Sequence, residues 1–244
     1  PYHLTMRSKI FAILFSTIAI TLLSVTPSYA ETLIVANDHV NGYNRSYFKL
    51  WIDADHNGCD TRAEVLLQEA VIKPKIGKKC ALIGGTWISP YDLKTITNVS
   101  DLDIDHVVPL AEAWRSGAWA WSAEERQSYA NDLDETRALV AVTSSQNRTK
   151  SDKDVANWLP SKGVCNYIIS WISVKIRYSL TVDTAEAQVL NSYTNTCAIS
   201  NINVVALPQF KKYLQGATPT SSVTPTSSVT PTSSVTPTPS VTPT

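Results

Sequence analysis

An acidic residue directly before a histidine, in an apolar β-branched run closed by proline, stands at Asp105-His106-Val107-Val108-Pro109. Of the four histidines, His3, His39, His56 and His106, only His106 lies in a segment that reads as a buried strand. Acids occupy the alternating positions Asp101, Asp103 and Asp105 of that segment. Forty-one residues after His106 comes Asn147, inside the polar, basic run Ser145-Gln-Asn-Arg-Thr-Lys-Ser-Asp152. These residue types suit hydrolysis of a phosphodiester. That reaction needs an activated water, a cation on the scissile phosphate and its leaving oxygen, and positive groups that hold the phosphate. His106 is the natural base, because an imidazole titrates near neutrality, and it is expected to face a solvent-filled cleft. Asp105 and Asn147 offer oxygen ligands, and so small a set suits Mg2+ or Mn2+, which keep several waters. Arg148 and Lys150 can hold phosphate together with the free N–H groups of a helix N-terminus. A plainer reading stands beside this one: an Asp-His pair can be a structural hydrogen bond, and Ser-Gln-Asn-Arg can be only a helix cap.

Bringing these side chains together requires a strand for His106, a second strand, and a helix that starts where the second strand ends. Residues 102–108 read as the first strand, leading into a short helix over 111–115 that stops near Gly117. Residues 137–143, Arg-Ala-Leu-Val-Ala-Val-Thr, read as the second. Ser144 or Ser145 can cap the helix carrying Asn147 and Lys150, finished by Pro160 at the latest. In a regular strand Asp105 and His106 point to opposite faces, so a twisted strand end must bring them to one ion. Ser122-Ala-Glu-Glu125 is a capping box and predicts a helix over 123–133. Further helices are expected over 61–70 and 168–178, and from an Asp183-Thr-Ala-Glu186 cap to near Cys197. Strands are expected over 32–36 and near 47–51, with a strand-turn over 80–87.

The two ends are of other kinds. Met6-Arg7-Ser8-Lys9, an apolar stretch over 10–25 and Pro27-Ser28-Tyr29-Ala30 read as a cleaved secretory signal, too short to span a membrane comfortably. From Thr218 the hexamer Thr-Pro-Thr-Ser-Ser-Val repeats three times and then recurs with proline in its fourth place. Proline forbids helix there and the Ser/Thr content offers no apolar face, so residues 217–244 read as an extended stalk. Residues 1–30 are thus upstream residues and signal, and 31–216 the folded domain. The chain is expected to be secreted, either free or tethered to the cell surface through the stalk. No stable membrane insertion is expected after signal cleavage, and no protein partner is evident.

Residues 1–30 carry two basic residues and no acidic one, which leaves 19 basic groups against 21 acidic. That balance argues against tight nucleic-acid packaging and permits an enzyme that must release its substrate. The four cysteines, Cys59, Cys80, Cys165 and Cys197, form an even set in an exported chain and read as two disulfides. Sequence order favours Cys59–Cys80 and Cys165–Cys197 among three possible pairings. A four-thiolate zinc site is the alternative, disfavoured because no Cys-x-x-Cys pair exists.

A second constellation fits the calcium-loop pattern: Asp53-Ala-Asp55-His-Asn57-Gly58 and, six residues on, Glu64, with the Cys59 carbonyl in the seventh place. It reads either as a structural Ca2+ site or as an ordinary Asx-rich turn. Trp114, Trp119 and Trp121 flank Gly117 and read first as core packing, second as a surface on which bases stack. Asn44, Asn98 and Asn147 each open an N-glycosylation sequon.

Asp105-His106-Val107-Val108-Pro109 together with Asn147-Arg148-Thr149-Lys150-Ser151-Asp152 resembles the HNH nuclease family. The wider likeness, from about Cys59 to Cys197, is to secreted HNH proteins related to the C-terminal domain of modification-dependent restriction enzymes. The resemblance implies an α+β fold with a ββα-metal core, elaborated by further helices and the two disulfides. It implies His106 as general base and Asp105 and Asn147 as ligands of a divalent ion. The family's middle asparagine should fall where Arg137 and Ala138 stand, and Arg137 is then a phosphate-binding candidate. The expected activity is metal-dependent hydrolysis of DNA, or of RNA too, with little sequence preference. The alternative is a calcium-stabilised extracellular binding or adhesion module whose HNH-like residues are structural.

Overall fold

Leu102–His106 (β6) and Leu139–Thr143 (β7) form the longest strand pair, antiparallel, with Leu102 opposite Thr143 and His106 opposite Leu139. The protein is described by a computed structural model that covers residues 33–197, 199, 202–216 and 221–222. Side chains in a strand alternate between faces. Ile104 and His106 therefore share one face with Ala141 and Leu139, while Asp103 and Asp105 share the other with Val142 and Val140. Helix α4 (Ser144–Lys150) begins immediately after β7 and lies against the acid-bearing face.

Three further two-stranded ribbons are present among the described residues. They join β1 (Ile34–Val35) to β8 (Ser221–Ser222), β2 (Lys75–Ile76) to β3 (Leu82–Ile83), and β4 (Trp87–Ile88) to β5 (Thr95–Ile96). Helix α1 (Thr61–Glu69) starts at Asp60, whose side chain accepts from the Ala63 N–H. It is tied to the central strands at both ends: Arg62 donates to the Leu102 carbonyl at 2.8 Å, and Glu69 accepts from the Ala141 N–H at 2.8 Å.

Helix α2 (Leu110–Arg115) follows β6, and α3 (Ala123–Ala130) opens on the capping box read from Ser122 and Glu125. Helix α5 (Val164–Arg177) buries Ile168, Trp171 and Ile172, and α6 (Thr184–Ser192) opens on a second capping box at Asp183 and Glu186. Lys175 of α5, fully buried, meets Glu112 of α2 at 2.6 Å and Glu186 of α6 at 3.2 Å, which joins three helices at one ammonium. Both disulfides expected from sequence order are present, Cys59–Cys80 and Cys165–Cys197, and the described residues contain no free thiol. Loops of this length give roughly 3–4 kcal/mol each by unfolded-chain entropy.

Several elements depart from the sequence reading. No strand forms near 47–51; Arg45–Tyr47 is a 3-10 turn instead, because the Asn44 side chain accepts from the Ser46 N–H and hydroxyl and pulls the chain round. Trp51, with φ of 54°, lies in the left-handed region and ends any extended run. Helix α3 stops at Ala130, short of residue 133, because the Asn131 amide leaves the helix direction to bind Lys49 O and Gln127 O. Helix α6 ends at Ser192 rather than near Cys197, with the Thr194 hydroxyl taken up by the Asn191 carbonyl. Helix α4 keeps within the expected limit at Pro160, ending at Lys150, where Ser151 turns left-handed with φ of 54°. The signal segment and, apart from Ser221–Ser222, the stalk lie outside the described residues. Among the described residues no helix is long and apolar enough to cross a membrane.

Candidate active site

His106 ends β6 with its imidazole buried, 6% exposed, rather than facing an open cleft as its sequence position suggested. The ring lies near-parallel to Trp51 and Tyr129, with centroids at 5.8 and 6.1 Å. Its Nε2 is 3.0 Å from the Ala130 carbonyl at the end of α3. A carbonyl oxygen only accepts, so Nε2 carries the proton and Nδ1 keeps the lone pair. Burial pushes the imidazole pKa down to about 3; the charges of Arg45 and Lys150 push the same way and the Ala130 carbonyl opposes them. The ring is thus held neutral, in one tautomer, with a basic nitrogen.

The strand end does not bring Asp105 and His106 together as expected: the register stays regular, so both acids lie on the opposite face of β6, and they have different partners. Asp103 accepts from the Ser144 hydroxyl at 3.0 Å and from the Asn147 amide at 3.0 Å, both on α4. Asp105, 5% exposed, accepts from the Lys150 ammonium at 2.9 Å on one oxygen and from the Tyr91 hydroxyl at 2.6 Å on the other. The structure therefore pairs Asn147 with Asp103, and not with Asp105 as the sequence reading had it. The reason is register: α4 starts directly after Thr143, so its first turn reaches Asp103 and its last turn reaches Asp105. Lys150, expected as a surface phosphate ligand, is fully buried and donates also to the His106 carbonyl at 2.9 Å. Burial raises the Asp105 pKa against the pull of Lys150, and burial lowers the Lys150 pKa against the pull of Asp105.

Among the described residues no three His, Cys, Asp or Glu side chains form a ready-made cation cage. The Asp103–Asn147 contact still fits a hard cation. The amide oxygen and nitrogen of Asn147 exchange places by a half-turn of the amide, which sets two oxygens side by side. A magnesium-class ion asks for only a few protein oxygens and keeps its waters. Asp105 offers an oxygen to such an ion only when Lys150 or Tyr91 releases it. Two further polar atoms near this cluster, Asp92 Oδ1 and the Tyr167 hydroxyl, are buried without a partner. The other Asp92 oxygen accepts from the hydroxyl of Thr143, just before α4.

The remaining candidates fall elsewhere. Arg137 forms a bidentate pair with Glu135 at 2.6 and 2.7 Å and reaches the Asn203 carbonyl, so its guanidinium is already engaged. Arg148 is exposed on α4. Asp53, Asp55, Asn57 and Glu64 do meet, around the Asn57 amide, which donates to Asp55 at 2.8 Å and to Glu64 at 2.7 Å. Asp53 accepts instead from the Asn57 and Gly58 N–H groups. Helix α1 follows this loop, but among the described residues no α-helix precedes it, and Cys59 is in its disulfide. Of the three tryptophans, Trp114 and Trp121 are core while Trp119 is 49% exposed.

Tyr91, Trp51 and the Ala130 carbonyl have no place in the sequence reading of the site, and Asp103 enters it only as one of the alternating acids, without a role. Only Asp103 had a signal: the two-residue spacing from Asp105 puts both acids on one strand face. Glu69 is a further unforeseen group, its pKa pushed up to about 7 by burial and partly restored by the Ala141 N–H.

Residues 61–191 match the family model of the C-terminal domain of GmrSD restriction endonucleases. A protein of Arthroderma benhamiae described as an uncharacterized secreted protein is 43% identical over 159 residues, spanning 64% of this chain and 76% of that one. No solved structure matches.

Proposed function

Given that the chain belongs to the family of the GmrSD restriction-endonuclease C-terminal domain, we propose that it is a secreted HNH-type endonuclease. It would hydrolyse phosphodiester bonds of DNA or RNA from a ββα unit made of β6, β7 and α4. One observation carries the reading: an imidazole fixed by a backbone carbonyl in the neutral form that can accept a proton, at the strand whose other face meets Asn147. In this reading His106 Nδ1 takes the proton of the attacking water, and the Ala130 carbonyl holds the ring through that transfer. Burial holds the imidazole pKa down, and the negative charge of a phosphodiester beside the ring would oppose that. Asn147 and a carboxylate of the Asp103–Asp105 face would hold a Mg2+- or Mn2+-class ion across β6 from the imidazole, where it would supply charge stabilisation to a phosphate reaching round the strand end. Arg148, exposed beside them, would contact phosphate. Backbone contacts would dominate, giving low sequence preference. The secreted description of the Arthroderma relative supports an extracellular setting.

The test is digestion of plasmid and of RNA with and without EDTA, comparing wild type with His106→Ala. The variant should lose about 10²–10⁴-fold in rate while remaining folded, and EDTA should abolish cleavage by the wild type. The convergence of Asp55, Asn57 and Glu64 favours a second reading, a calcium-stabilised module without activity. Under that reading the wild type cuts nothing and added Ca2+ raises its melting temperature.

A further inference from the structure

Residues 39–47 run along the surface as an exposed arm. The arm is held from beneath by Trp114, whose indole N–H donates to the Asn41 carbonyl at 2.8 Å. The rings of Tyr43 and Tyr47 rest against Trp114 at 6.3 and 5.5 Å, and the Arg126 guanidinium stands over the Tyr47 ring at 5.8 Å. Held this way, Tyr43 stays 38% exposed and Tyr47 46%. At the start of the arm His39 stacks on the exposed Trp119, with centroids 4.6 Å apart and planes 20° from parallel. Arg45, between the tyrosines, is exposed, and its guanidinium is a hydrogen-bond partner of the Tyr43 hydroxyl, facing no carboxylate of the arm. The acids of this face, Asp38 and Asp152, are both drawn to Arg115, at 3.3 and 3.7 Å.

The arm leads into the candidate site: four residues after Tyr47, the Trp51 ring lies against the His106 imidazole at 5.8 Å. Arg45 is close enough to His106 for its charge to disfavour the imidazolium. Tyr43 lies within electrostatic reach of Asp152, which follows α4. We propose that this arm is a platform for single-stranded nucleic acid: Tyr43, Tyr47 and the His39–Trp119 stack take unpaired bases, and Arg45 takes a phosphate between them. Exposed aromatic faces accept any base, whereas the bases of a duplex are already stacked on one another. The arm has no regular helix or ribbon of the kind that enters a major groove. The inference rests on the nuclease reading for its consequence, a preference of the catalytic site for unpaired DNA or RNA.

The experiment is fluorescence anisotropy on the His106→Ala protein in EDTA, so that no substrate is consumed. The protein should come from a host that adds no N-glycans, because Asn44 opens a sequon within the arm. Labelled oligothymidylate, oligouridylate and a duplex of equal length are the probes; the first two separate DNA from RNA as the source of the unpaired bases. Both single strands should bind more tightly than the duplex. Tyr43→Ala and Tyr47→Ala should each weaken single-strand binding about 5- to 100-fold, as expected for loss of one stacked base. Phenylalanine at either position should restore it, and melting temperatures should not move. Arg45→Ala should reduce the salt slope for single strands by about 0.7. Unchanged single-strand affinity in the doubly substituted Tyr43→Ala, Tyr47→Ala protein overturns the proposal. So does equal weakening for duplex, or a self-associated species that the double variant dissolves, which would assign the arm to a second copy of the chain. A wild type that binds single strands without cutting them sinks the nuclease reading and leaves the platform. Cutting with unaltered affinity in the double variant does the reverse, and a wild type that neither binds nor cuts removes both.

Discussion

Lys150 and Lys175 are both fully buried, yet their surroundings pull them in opposite directions. Lys175 faces two carboxylates, Glu112 and Glu186, and accepts help from the Thr181 carbonyl; together the acids overcome burial and raise its pKa. Lys150 has one carboxylate, Asp105, shared with the Tyr91 hydroxyl, and burial prevails and lowers its pKa. Two buried ammonium groups with different counts of counter-charge have different uses. The Lys175 cluster joins α2, α5 and α6 and does not touch the candidate site. The Lys150 cluster stands within it, in a balance that one added or removed charge can tip.

The largest expected effect separates the two directly. Lys175→Met leaves Glu112 buried without its counter-charge and Glu186 without its ammonium donor, and should cost about 3–5 kcal/mol, read from a urea unfolding midpoint. Lys150→Met should cost less, about 1–3 kcal/mol, because Asp105 keeps Tyr91 and can take a proton. It should nevertheless change the rate of cleavage and its dependence on Mg2+, because Asp105 is then released from the ammonium; Lys175→Met need not do so in the fraction that stays folded. Equal losses of stability in the two variants would break the contrast.

A second effect lies in the pH dependence. The His106 pKa falls on folding, so between its ordinary value of 6.5 and about 3 the unfolded chain binds the proton that the folded chain refuses. Stability from this group is therefore intact above about pH 6.5 and drains away toward pH 3, by no more than about 4–5 kcal/mol. Glu186, pushed up to about 8 by burial with Lys175 opposing, acts with the other sign. Its contribution is full below about pH 4.5 and is lost as pH rises through 8. Comparing wild type with His106→Gln and with Glu186→Gln in unfolding at several pH values resolves the two windows. A flat difference in either variant removes the corresponding cluster from the account.

The smallest effect sharpens the picture most. Lys150 helps to depress the His106 pKa, and Lys175 is not among the charges that act on it. An NMR titration of His106 should therefore shift upward, by a fraction of a unit to about one unit, in Lys150→Met. It should stay in place in Lys175→Arg. A shift of equal size in both would mean that the imidazole senses the whole fold rather than its neighbour across β6.

What the sequence disclosed was local. The capping boxes at Ser122 and Asp183 gave the true starts of α3 and α6, the period-two acids marked β6, and cysteines close in order proved to be partners. What it concealed was set by contacts between distant segments. A lysine in the run Asn-Arg-Thr-Lys reads as surface, and only the fold shows Lys150 under Asp105. The group that orients His106 is a main-chain oxygen, to which no residue type corresponds. Residues 47–51 carry strand-forming side chains, and the Asn44 cap and the left-handed Trp51 outweigh that propensity.

Next to the carbonyl that orients His106 stands Asn131, whose single amide uses its full capacity. It accepts from the Ile52 N–H and the Thr61 hydroxyl and donates to the carbonyls of Lys49 and Gln127. This one side chain rivets the root of the aromatic arm, the entrance of α1 and the exit of α3 into a single joint. A strand of nucleic acid tugging on Tyr47 would load that joint, and the load would reach Ala130 one residue away. Engagement of the arm and alignment of the imidazole would then rise and fall as one mechanical event.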